Sequence, residues 1–98
     1  MNDRENEILE NAVRIIRTIL NPERIYLFGS RAEDNFSKGS DFDIAVDSEK
    51  PSDEVKHKIN EELEENSGLY SIDVLYLPDI EDKFKEVILS TGKVIYEK

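Results

Sequence analysis

Residues 27–46 read LFGSRAEDNFSKGSDFDIAV. An apolar run ends in Gly29-Ser30. Ten residues later a second apolar run opens with two acids one residue apart. If that second run is a strand, alternation sends Asp41, Asp43 and Ala45 to one face and Phe42, Ile44 and Val46 to the other. The apolar trio can face helices. The two carboxylates then stand side by side, with Cα atoms roughly 6.5–7 Å apart by strand rise. Like charges that close are unfavourable unless exposed, protonated or bridged by a cation.

A third acid, Asp73, interrupts the apolar stretch SIDVLYL at 71–77. If that stretch pairs beside 42–46, Asp73 can face the same way and three carboxylates converge. Hard oxygen ligands with retained waters suit Mg²⁺, and substrate phosphates commonly complete its shell. A buried strand ending in Gly29-Ser30 can present backbone N–H groups and a hydroxyl to a phosphate. Cradle and ligands together describe a nucleotide site. Neither half is specific alone, since an Asp-x-Asp on a surface strand is common and a solvated Asp43 is the plain alternative.

The rest of the chain arranges helices around these strands. Ile8, Leu9, Ala12, Val13, Ile15, Ile16, Ile19 and Leu20 form a wide helical stripe over residues 4–20. Asn21-Pro22 stops it. Residues 25–28 are apolar on both faces, as in a covered strand. Residues 31–40 read as a turn or a short helix and loop, and 42–46 as the second strand. Ser52 caps a helix carrying Val55, Ile59 and Leu63 inward, which Asn66-Ser67-Gly68 ends. Pro78 closes the third strand. Asp79 is placed to cap a helix whose Ile80, Phe84, Val87 and Ile88 share a face, with Gly92 as its C-cap. Residues 94–96 form a last strand with a charged end that blunts an edge. The order implies an α+β, sandwich-like fold: one mixed four-stranded sheet with helices mainly on one face.

The chain has 98 residues, the size of one domain, so 1–98 is read as a single unit. It has no cysteine, and its apolar runs fall short of a membrane span. The acidic start is unlike a secretory signal, and these features imply a cytoplasmic protein with no membrane partner. A formal net charge of -10 with scattered basic residues argues against nucleic acid as the main ligand.

The combination of Leu27-Phe28-Gly29-Ser30-Arg31-Ala32, Ser40-Asp41-Phe42-Asp43-Ile44-Ala45-Val46 and Ile72-Asp73-Val74 resembles the nucleotidyltransferase superfamily that includes DNA polymerase beta. The likeness to its short stand-alone form, the minimal nucleotidyltransferase (MNT) domain, spans nearly the whole chain. The resemblance implies that Gly29 and Ser30 hold the β- and γ-phosphates of ATP, the nucleotide donor. It implies that Asp41 and Asp43 bind two Mg²⁺ ions, with Asp73 at the ion that activates the acceptor. Arg31 is either a phosphate partner or a solvated arginine, and Lys38 is read in the same way. The family is often paired with a HEPN-domain toxin, which the MNT antitoxin silences by placing AMP on a tyrosine. The alternative functions are a non-catalytic antitoxin acting by occlusion and a plain metal-binding scaffold.

Among other residues, His57 lies about 200° round its helix from Val55 and is read as solvated. Glu61, Glu62, Glu64 and Glu65 read as a solvated face. Tyr26, Tyr70, Tyr76 and Tyr96 read as core, with stacking on adenine an alternative that singles out none of them. Phe36 reads as a loop pin or a protein contact.

Overall fold

The computed structural model describes residues 1–33 and 39–98. Phe36 and Lys38 lie outside the described residues. The chain opens on helix α1 (Asp3–Leu20). Asn2 Oδ1 accepts from the Glu5 N–H at 2.8 Å, and Glu5 Oε1 accepts from the Asn2 N–H at 3.0 Å. This reciprocal box satisfies two backbone donors that the first turn leaves open. The helix ends where Asn21 turns left-handed at φ 50°, a conformation asparagine tolerates better than most residues.

Strand β1 (Arg24–Phe28) leads through a 3-10 turn (Gly29–Arg31) towards β2 (Phe42–Val46). Helix α2 (Asp53–Ser67) follows, capped by Ser52 Oγ accepting from the Val55 N–H. Then come β3 (Ile72–Tyr76), α3 (Asp82–Thr91) and β4 (Lys93–Glu97). The strands run β3-β2-β1-β4 across the sheet. Strands β2 and β3 are parallel, and β1 is antiparallel to both β2 and β4. This is the expected mixed four-stranded sheet.

The two sheet faces are covered unequally. Ala12, Ile15 and Ile16 of α1 and Ile59 and Leu63 of α2 pack on Ile25, Ile44, Val46 and Tyr76. Burying one such aliphatic side chain contributes roughly 1.5–3 kcal/mol before conformational entropy is set against it. The opposite face carries Tyr26 and Ala45, covered by Leu77 and by Ile88 of α3. Helix α3 is short, and it leaves part of that face open.

Strand β2 has the expected limits, so Asp41 stands just before it. Other local expectations change. Leu77 has left β3 for a 3-10 turn (Leu77–Asp79) around Pro78, which delays the start of α3. Its N-cap position therefore falls to Glu81, which makes no side-chain cap bond, while Asp79 instead stands 3.9 Å from Lys50. On α3 only Ile88 is fully buried, whereas Phe84 and Val87 are 42% and 54% exposed. A ten-residue helix crossing half a sheet has too few neighbours to cover its whole apolar stripe.

Candidate functional site

Strand register decides where the acids stand. Phe28 is the partner of Asp43, and Asp43 is the partner of Asp73. Residues in register on neighbouring strands point to the same face. Phe28, Asp43 and Asp73 therefore form one row of side chains across β1, β2 and β3. The next row, Tyr26, Ala45 and Leu75, is the one α3 covers. The acids lie just beyond the edge of that cover, on the face away from α1 and α2.

Asp43 is half-buried, while Asp73 and Asp41 are exposed. Desolvation pushes the Asp43 carboxyl above the usual carboxylate range, and the charges of Asp73 and then Asp41 push it further. All three carboxylates thus share one electrostatic neighbourhood. As they stand, no three His, Cys, Asp or Glu side chains among the described residues are gathered tightly enough to hold a cation. The donor set nevertheless fits Mg²⁺. Its oxygens are hard, and repulsion at Asp43 becomes attraction once a cation sits between the carboxylates.

The Gly29–Arg31 turn brings the second half of the motif to the same place. Gly29 has φ +73°, and a Cβ built on it would collide with Asp43 Oδ2. Only glycine allows the backbone to lie against this carboxylate. Ser30 follows, half-buried, in the same turn.

Arg31 takes a different course from either expectation. It is 1% exposed, so it is not solvated. Its Nη1 donates to Glu5 Oε2 at 2.7 Å, and its Nε donates to the Ser40 carbonyl at 2.9 Å. The guanidinium lies over the Phe42 ring at 4.1 Å and near the Tyr70 ring at 5.5 Å. Glu5, 4% exposed, is held below the usual carboxylate range by the Asn2 backbone N–H and then by Arg31. Arg31 therefore ties residue 31 to residue 40 and both to the start of α1. The sequence carries a signal for the helix start in Asn2-x-x-Glu5, but none for the ion pair 26 positions away.

A cleft of about 490 Å³ opens beside the row, lined by Asp43 and Asp73 with Phe28, Leu75 and Phe84 among others. That volume is typical of small-ligand sites. His57 stands apart on α2, its Nε2 3.7 Å from Glu61 Oε2, and is solvated as expected.

The sequence and the fold are similar to those of known proteins. The family described as polymerase beta, nucleotidyltransferase matches residues 10–98. A probable protein adenylyltransferase MntA from Haemophilus influenzae is 31% identical over 97 residues, covering 94% of this chain and 85% of that protein. A toxin–antitoxin crystal structure with AMP-PNP superimposes with a TM-score of 0.76 at 20% identity, over 91% of this chain and 73% of that one. A complex of a tri-AMPylated Shewanella oneidensis HEPN toxin with its MNT antitoxin gives 0.70 at 18% identity, over 97% and 73%.

Proposed function

The chain belongs to the polymerase beta nucleotidyltransferase family, in its minimal MntA-like form, and from that premise we propose that it transfers AMP from ATP to a hydroxyl of a HEPN-type toxin. The observation that carries this is the contact between the two halves of the motif. Gly29 lies against the Asp43 carboxylate, and Asp43 is in register with Asp73.

In this reading Gly29 and Ser30 hold the β- and γ-phosphates through backbone N–H groups and the Ser30 hydroxyl. Asp41, Asp43 and Asp73 hold Mg²⁺. Two such ions, when bound, neutralise phosphate charge and lower the pKa of the acceptor hydroxyl. The acceptor oxygen attacks the α-phosphorus, a new O–P bond forms, and the bond from that phosphorus to the bridging oxygen breaks. Pyrophosphate leaves, and the hydroxyl proton is lost to solvent. Asp73, exposed on the edge strand β3, is the carboxylate we assign to the acceptor hydroxyl. Arg31 positions the site from beneath: it fixes the Ser40 carbonyl, one residue before Asp41, and does not enter the cleft. A tyrosine is the acceptor we propose, since the related HEPN complex is AMPylated and the family resemblance points to that side chain.

The test is transfer of labelled AMP from ATP to a co-expressed toxin, with and without Mg²⁺. Asp43→Asn and Asp73→Asn keep side-chain size and remove metal-binding charge. Each is expected to abolish labelling. Full labelling by either variant refutes the metal role. Neutralisation of the toxin that persists in both variants, without labelling, supports the occlusion mechanism instead.

A further inference from the structure

The row Phe28-Asp43-Asp73 is polar at its centre and at the β3 edge, and aromatic at its β1 end. Phe28 meets Phe84 of α3 edge to face, with centroids 5.9 Å apart and planes at 83°. Both rings line the same cleft as Asp43 and Asp73. Phe84 is 42% exposed, although the hydrophobic stripe of α3 predicts it in the core. We propose that Phe84, braced by Phe28, is the stacking wall for the nucleobase of the nucleotide whose phosphates reach Gly29, Ser30 and the acids.

The inference rests on the nucleotide reading above and adds the part of the substrate that reading leaves unplaced. Three features support it. The aromatic pair and the carboxylates share one cleft, so one ligand with a flat apolar end and an anionic end can touch both. The carboxylates offer a base no stacking surface, and of the aromatic rings that line the cleft Tyr76 is buried while Phe84 is exposed. The chain also does not use Phe84 as filling: Ile88, one turn along α3, is fully buried and Phe84 is not. A phenylalanine offers a π-face and no hydrogen-bonding group, so it accepts any base and favours the larger faces of purines.

Stacking of a base on an aromatic ring is worth roughly a 5- to 150-fold change in affinity on truncation to alanine. The experiment measures displacement of a fluorescent ATP analogue, in Mg²⁺, by ATP and by inorganic tripolyphosphate. The wild-type protein is expected to prefer ATP. In Phe84→Ala that preference falls by roughly 5- to 150-fold, while tripolyphosphate binds as before. Phe84→Tyr restores the preference. Phe84→Leu keeps apolar bulk without a flat ring, and it is expected to behave like the alanine variant. Unfolding curves of all three variants confirm that they remain folded. If Phe84→Ala keeps the full ATP preference while tripolyphosphate still binds, the stacking wall is overturned and the phosphate site stands. If neither compound binds the wild-type protein, the nucleotide reading and this inference fail together.

Discussion

Replacing Gly29 with alanine tests the contact on which the proposed chemistry depends. Two penalties arise and can be separated. Gly29 has φ +73° and Gly39 has φ +89°, so alanine at either position is forced into the left-handed region. That strain costs about 1–2 kcal/mol, read as a lowering of Tm by roughly 4–16 °C in a domain of this size. The second penalty belongs to Gly29 alone. Its new methyl would collide with Asp43 Oδ2, whereas a methyl at Gly39 meets nothing within 4 Å among the described residues. The carboxylate end can swing away, so the stability difference between the variants is small. The Asp43 oxygens, however, move by on the order of 1 Å, a displacement that can lower a rate about 100-fold. Labelled-AMP transfer and urea denaturation are measured on both variants. Gly29→Ala is expected to lose about 100-fold in transfer and Gly39→Ala very little. Equal activities in the two glycine variants would refute the idea that Gly29 is kept for Asp43.

Asp43→Asn should stabilise the metal-free protein while abolishing transfer. A carboxyl whose folded pKa is raised holds its proton more tightly when folded, so its contribution to stability falls as pH rises through the carboxylate range. Asp43 is half-buried, so the gain at neutral pH is under about 1 kcal/mol, seen as a Tm rise of a few degrees. Added Mg²⁺ should raise the Tm of the wild type and leave that of Asp43→Asn nearly unchanged. Glu5 behaves in the opposite way. Its folded pKa is depressed, so its contribution is present above the unfolded value and is lost as pH falls through the folded one. Glu5→Gln should therefore flatten the acid limb of a Tm-against-pH curve. Arg31→Met leaves the buried Glu5 carboxylate without its guanidinium and should lower Tm by on the order of 10 °C at pH 7, with part of that loss recovered in the Glu5→Gln background. Tyr76 is buried, and its hydroxyl has no hydrogen-bond partner among the described residues. Tyr76→Phe should be neutral or raise stability by up to about 1–3 kcal/mol in urea denaturation.

Much of the fold is legible in the sequence because its signals are local. The stripe from Ile8 to Leu20 marks α1, the limits of β2 at Phe42–Val46 match its apolar alternation, and Ser52 caps α2 as its position suggests. The facing of Asp43 with Asp73 was legible only as a condition, since one sequence does not state which strands are neighbours. Parallel pairing of β2 with β3 meets that condition. What escaped reading is non-local. Arg31 looks like a surface arginine until α1 delivers Glu5 beneath it. Phe84 looks like core because helical period reports which residues share a face, not how far the sheet beneath that face extends. Asp79 looks like a cap because it follows Pro78, but it lies inside the Leu77–Asp79 turn, and the helix begins only at Asp82.

The Arg31 fastening bears on how this scaffold tolerates change. The side chain grips the Ser40 carbonyl, so the residue before Asp41 is fastened to the Gly-Ser turn by one guanidinium, in addition to the β1–β2 ladder that pairs Phe28 with Asp43. Doubling the number of residues between two fixed points costs only about 0.6 kcal/mol in chain entropy. A reporter peptide spliced in after Glu33 should then leave all three acids in place, while the same splice in an Arg31→Met background should release Asp41, which precedes β2, and leave Asp43 and Asp73 in register.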